Sequence, residues 1–286
     1  MTRKLTQTLV SGLAALALTA VAAPALAAGG SLKPKDVAFS FDGPFGTYDQ
    51  AQLQRGFKVY REVCAACHSI KLLSIRNLGD KHGPFYDPKY PNPNDNPVVK
   101  AIAAEYEVPD IDSETGDAIT RKAVPADRFP SPFANEEAAK ASNGGAYPPD
   151  LSVIAKARHG GADYLYSLLT GYKPTPAGLK VAEGQYYNPY MAGDLTSAWS
   201  GDPHHVPKGG VIAMAPPLED GKVSFDDGSP DTLSQQAKDV AAFLTWATEP
   251  KMVERKQTGV AVMIYLLLMA LITYAAYRQV WRGVKH

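Results

Sequence analysis

Cysteine is nearly absent: the 286 residues contain two, Cys64 and Cys67. A network of disulfides therefore cannot hold this fold together. Net charge is absent as well, with 29 basic and 29 acidic side chains. That balance hides an uneven layout. Residues 1–27 and 259–286 carry bases and no acid, and removing them leaves 24 basic against 29 acidic side chains. An acidic middle excludes a basic nucleic-acid binder and suits a cationic partner. No internal repeat and no alternating strand pattern of any length is present. With 45% hydrophobic and 20% charged residues, the composition excludes collagen-like, coiled-coil and wholly disordered chains. What remains is a mainly α chain with much loop.

The two ends indicate where such a chain resides. Residues 1–27 have a basic head (Arg3, Lys4), an apolar run from Leu9 to Ala23 and the small residues Ala25-Leu26-Ala27. This is the form of a signal peptide, so the mature chain is expected to begin near Ala28 and to fold outside the cytoplasm. Residues 259–277 (GVAVMIYLLLMALITYAAY) hold no charge. As a helix they span about 28 Å, close to the hydrocarbon thickness of a bilayer. Tyr274, Tyr277 and Trp281 suit the interfacial belt, and Arg278, Arg282 and Lys285 follow. The expected layout is an exported domain over 28–258, a membrane anchor over 259–277 and a cytoplasmic tail over 278–286.

Within the domain, Leu53, Phe57, Tyr60 and Cys64 recur at helical spacing and predict a helix over 49–69. Five prolines in 79–98 predict an irregular loop. Further helices are expected over 97–106, 134–142 and 162–169, the last ending at Gly171. Thr232-Leu233-Ser234-Gln235 matches a capping box and opens a helix limited by Pro250. Its apolar stripe is Leu233, Ala237, Val240 and Leu244.

So much loop requires an organiser. Cys64-Ala65-Ala66-Cys67-His68 is the C-x-x-C-H pattern of c-type haem attachment. Two thiols on one turn reach the two vinyl groups of one porphyrin, and the next residue brings an imidazole to the iron. Export is in keeping with this, because such attachment is made outside the cytoplasm. A thioredoxin-like pair would follow a strand, whereas a helix leads in here. A zinc site would need more cysteines or a well-spaced histidine pair.

His68 supplies one axial ligand, and a thioether as the other suits an electron carrier. Outside the signal and the anchor, two methionines are candidates: Met191 and Met214. Met214 is favoured, because Pro216 and Pro217 stiffen its segment. His82, His204 and His205 lie in polar loops where exposure is the ordinary state. Arg158 is a candidate donor to a haem propionate, since buried propionates need charge-assisted partners.

Six further motifs follow C-A-A-C-H in order: Y-P-P-D-L-S (147–152), A-R-H-G-G-A-D-Y (157–164), S-L-L-T-G-Y (167–172), N-P-Y (188–190), A-M-A-P-P-L (213–218) and F-D-D-G-S-P (225–230). Together they resemble the cytochrome c1 family, the haem subunit of the cytochrome bc1 complex, in a bacterial form. The resemblance implies one covalent haem c on Cys64 and Cys67, with His68 and Met214 as axial ligands and Arg158 near a propionate. It implies a class I cytochrome c-like domain with large loop insertions plus one C-terminal transmembrane helix. The helices before the haem motif and before the anchor would pack together. Some bacterial relatives carry a second cysteine pair near the methionine ligand, and this chain does not.

The function implied is one-electron transfer from a Rieske iron–sulfur protein to a cytochrome c, alongside cytochrome b, in a dimeric complex of a bacterial inner membrane. The domain would stand on the periplasmic side. The alternatives are a haem subunit of another complex, such as a terminal oxidase, and a haem peroxidase or sensor. Two acidic clusters, within 105–117 and 219–231, are expected to steer a cationic cytochrome c.

Overall fold

The computed structural model describes residues 30–283. The expected signal peptide and the last three residues of the tail lie outside the described residues. The core is built on two crossed helices. Helix α1 (Gln50–Glu62) starts at Asp49, whose carboxylate accepts from the Gln52 amide, and buries Leu53, Phe57 and Tyr60. It stops earlier than the apolar spacing suggests. After Val63 the chain tightens into a 3-10 turn, Cys64–Ala66, so the haem motif sits beyond the helix rather than on it. The Cys64 carbonyl there accepts both the Cys67 amide at 3.1 Å and the His68 amide at 2.8 Å.

Helix α2 (Pro97–Ala104) is capped by the buried Asn96, whose side chain accepts from the Val98 and Val99 amides. Helix α3 (Glu136–Ser142) is short and mostly exposed. Helices α4 (Ile154–Ala157) and α5 (Gly161–Leu169) pack on α6 (Leu233–Thr248). The hydroxyl of Thr232 accepts from the Gln235 amide as the capping pattern predicts. The reciprocal half of the box is not made, because the Gln235 side chain turns to Asp239 instead.

The α1–α6 contact is the most extensive in the fold, and Gly56 makes it possible. A Cβ there would stand 2.6 Å from the Phe243 Cβ and closer still to the Asp239 carbonyl. Phe243 lies against Phe57, Tyr60 and Trp246 with ring centroids 5.5–5.7 Å apart. Beside these rings Asp239 is wholly buried. It accepts from Arg55 Nε at 2.7 Å, Gln52 Nε2 at 3.0 Å and Gln235 Nε2 at 2.9 Å. A buried carboxylate needs such partners, since leaving it unpaired costs several kcal/mol, about 3–5.

Two short antiparallel sheets depart from the sequence reading. Strand β1 (Glu107–Ile111) pairs with β2 (Ala118–Lys122), and β3 (Tyr186–Asn188) pairs with β4 (Gly210–Ile212). Of the first hairpin only Val108 reaches the core, so no apolar alternation marks it. The second covers a small separate cluster of Leu179, Tyr187 and Leu195.

Helix α7 (Met252–Val280) runs 29 residues without a break and contains the expected anchor over 259–277. It is long and apolar enough to cross a membrane. Its first turn belongs to the domain: Met252 and Val253 are buried, and the Lys256 ammonium donates to the carbonyls of Phe41 and Gly43 at 2.6 and 2.7 Å.

Candidate functional site

The site is assembled from one turn and one segment that runs beside it. His68 closes the Cys64–Ala66 turn. Its Nδ1 lies 2.8 Å from the Pro149 carbonyl oxygen. A carbonyl only accepts, so Nδ1 carries the proton and Nε2 keeps a free lone pair. Histidine ligands are commonly oriented in this way. The His68 backbone is held as well, its carbonyl accepting from the Tyr60 hydroxyl at 3.0 Å.

Residues 149–152 are stapled along 68–72. Asp150 accepts from the Ser69 hydroxyl at 2.6 Å and the Lys71 amide at 2.9 Å. The Leu151 amide donates to the Ser69 carbonyl, and the Leu72 amide donates to the Ser152 hydroxyl. Burial pushes the Asp150 carboxyl up, but hydrogen bonds from Ser152, Ser69 and the Lys71 amide outweigh it and hold the group below its ordinary value. Burial lowers the His68 pKa, against a smaller pull from Pro149 and Asp150, so the imidazole is neutral at pH 7. The motif Y-P-P-D-L-S was visible in the sequence, yet its task of aiming His68 was not.

Both thiols are free and half-buried. Burial, then the neighbouring Cys67, pushes the Cys64 thiol up to about 12. Among the described residues, no three His, Cys, Asp or Glu side chains stand together as a metal cluster.

The two candidate methionines differ in one respect. Met191 Sδ accepts a hydrogen bond from the Tyr164 hydroxyl at 3.7 Å. The sulfur of Met214 has no such donor among the described residues, while its backbone carbonyl accepts from the Tyr172 hydroxyl at 3.0 Å. Arg158 is exposed, donates to the Ala157 carbonyl at 3.1 Å and pairs with no carboxylate among the described residues. It lies beside Tyr164, whose phenol burial raises and Arg158 lowers. His204 and His205 are exposed, as expected, but His82 is half-buried, with a φ of 66°.

Two free thiols on one turn, followed directly by an imidazole with a free Nε2, are a donor set that fits a haem. A family model described as the Cytochrome C1 family matches residues 39–284. The chain belongs to the cytochrome c1 family. Cytochrome c1 of Rhodospirillum rubrum is 41% identical over 285 residues, covering 93% of each chain. Cytochrome c1, heme protein, mitochondrial, of Saccharomyces cerevisiae is 43% identical over 250 residues, covering 87% of this chain and 72% of its own. Cytochrome b/c1 of Bradyrhizobium diazoefficiens is 40% identical over 296 residues, covering 94% of this chain. This cytochrome c1 family member spans 40% of that last protein's length.

The acidic clusters of this cytochrome c1 family chain are partly spent inside the fold. In the first, Glu105 pairs with Arg61, Glu107 with Lys122 and Asp110 with Arg121. In the second, Asp227 pairs with Arg55 at 2.7 Å and Asp226 with Lys58 at 3.2 Å. Asp220 caps the Leu233 amide at 2.7 Å. The field offered to a partner is therefore weaker than a count of acids implies.

Proposed function

We propose that this chain carries one covalently attached haem c and serves as the electron-transferring redox subunit of a quinol:cytochrome c oxidoreductase, the cytochrome bc1 complex. The observation that carries the reading is the orientation of His68 directly after two free thiols, in a chain of the cytochrome c1 family. Cys64 and Cys67 would hold the porphyrin covalently through their thiols. His68 offers Nε2 because Pro149 holds Nδ1. Met214 would offer its thioether to the iron, and Arg158 would offer its guanidinium to a propionate. The haem, when bound, supplies reversible one-electron storage.

The rest of the chain's task is positional. It would keep water from the iron, and a thioether and burial would raise the potential. With His68 and Met214 both committed to the iron, the haem would supply electron transfer rather than oxygen or peroxide chemistry, and the chain alone would make no bonds in a substrate. The electron comes from a Rieske iron–sulfur protein and leaves to a cytochrome c. Cytochrome b is a further subunit, in a complex that is dimeric and binds no nucleic acid. Residues 1–27 serve export, 28–258 form the periplasmic haem domain, 259–277 anchor it in the bacterial inner membrane, and 278–286 lie in the cytoplasm.

Spectra of the membrane-extracted chain test the reading. A low-spin six-coordinate spectrum in both redox states, unchanged by carbon monoxide, is expected. A high-spin spectrum with prompt carbon monoxide binding would instead indicate a peroxidase or sensor.

A further inference from the structure

Met214 lies in a segment that Pro216 and Pro217 stiffen locally but do not tie to the rest of the fold. Pro216 and Pro217 lack amide donors, so the backbone of 213–218 has few hydrogen bonds of its own to make. Both cysteines are in the haem motif, so no covalent brace reaches this segment. Two other ties do reach it, and both start from the end of α5.

The first runs through the small sheet. Asn188, fully buried, donates from Nδ2 to the Leu168 carbonyl at 2.8 Å. Asn188 stands opposite Gly210 in the β3–β4 pair, and β4 ends at Ile212, two residues before Met214. The second tie is direct. Tyr172, three residues beyond the end of α5, donates its hydroxyl to the Met214 carbonyl at 3.0 Å. The chain just before it is pinned, because the Tyr190 ring lies so close over Gly171 that a Cβ there would stand 2.9 Å from Cε2.

We infer that Tyr172 is the positioning residue for the Met214 thioether, its hydroxyl fixing the peptide from which that side chain reaches the iron. The inference rests on the reading of Met214 as axial ligand. It assigns a task to the last residue of S-L-L-T-G-Y, which the proposed function leaves without one.

A reduced six-coordinate haem takes up carbon monoxide only after an axial ligand detaches. The observed binding rate therefore reports the population in which the methionine has let go. One neutral hydrogen bond is worth about 1 kcal/mol, or about fivefold in that population. The test uses the full-length, haem-loaded chain extracted from membranes, comparing Tyr172→Phe, Tyr48→Phe and Met214→Leu. Tyr48 is the matched control: its hydroxyl also donates to a backbone carbonyl, that of Glu249 at 3.1 Å, in a part of the core that neither tie to Met214 includes. Tyr172→Phe is expected to raise the carbon monoxide rate about fivefold and to lower the reduction potential, with haem staining retained. Tyr48→Phe should move neither. An unchanged rate in Tyr172→Phe, beside free binding in Met214→Leu, would overturn this inference alone. Equal increases in both tyrosine variants would also overturn it, as general loosening. Unchanged binding in Met214→Leu would remove the ligand reading, and the inference with it.

Discussion

His68 Nδ1 lies 2.8 Å from the carbonyl oxygen of Pro149, 81 residues further along the chain. The imidazole is thus aimed by a segment remote in sequence. Asp150 fastens that segment through the Ser69 hydroxyl and the Lys71 amide. Asp150→Ala should cost about 2–3 kcal/mol in the holo chain, measured by denaturant unfolding at pH 7, because these bonds end on a charged acceptor.

The same carboxyl sets a pH dependence. Its folded value is held below the ordinary 3.8. Its stabilisation is therefore complete above the unfolded value and is lost as pH falls through the lowered folded one. Unfolding free energy followed from pH 6 downwards should fall more steeply in the wild type than in Asp150→Asn. Equal slopes would show that other carboxyls govern the acid limb.

The helix crossing gives a sharper test of packing. Gly56→Ala drives a methyl against the Asp239 carbonyl and the Phe243 Cβ, and backbone cannot move aside as a side chain can. A loss of about 3 kcal/mol is expected in unfolding experiments. A change below 1 kcal/mol would mean that the helices cross further apart.

Sequence and structure agree wherever apolar spacing reports burial. Leu53, Phe57 and Tyr60 marked α1, and the charge-free run over 259–277 marked α7. Agreement ended where long-range hydrogen bonds take over. The helix stops at Glu62 because the Cys64 carbonyl takes two amides in a tight turn, a choice that no periodicity records. The β1–β2 hairpin carries Pro109 and buries Val108 alone, so it has no alternation to read. Pro149, Asp150 and Tyr172 stood in recognisable motifs, but their partners His68, Ser69 and Met214 become visible only when the chain is folded.

The domain's C-terminal limit can be located by truncation. A chain ending at Thr258 keeps Met252 and Val253 in the core and Lys256 on its carbonyls, so it should be soluble with haem attached. A chain ending at Pro250 loses all three and should be about 4 kcal/mol less stable. Equal thermal stability of the two would place the boundary before Met252.

Docking charge is testable at the exposed acids. The Asp226 and Glu219 side chains are 93% and 75% exposed, although each pairs with one lysine, Lys58 and Lys222. Glu219→Gln with Asp226→Asn should slow electron transfer to a cationic cytochrome c a few-fold at low salt. It should also flatten the dependence on ionic strength, since screening shortens to about 8 Å at 0.15 M. An unaltered salt slope would place the docking field elsewhere.

The central claim is that this chain is the haem subunit through which a quinol-oxidising complex delivers electrons. Affinity purification of the full-length chain from membranes in mild detergent, followed by addition of quinol, tests it most directly. The account predicts that a b-type cytochrome and an iron–sulfur protein purify with the chain, and that quinol reduces its haem only when the iron–sulfur protein is present. Purification of the chain alone or with terminal-oxidase subunits, or haem reduction that does not depend on the iron–sulfur protein, would contradict it.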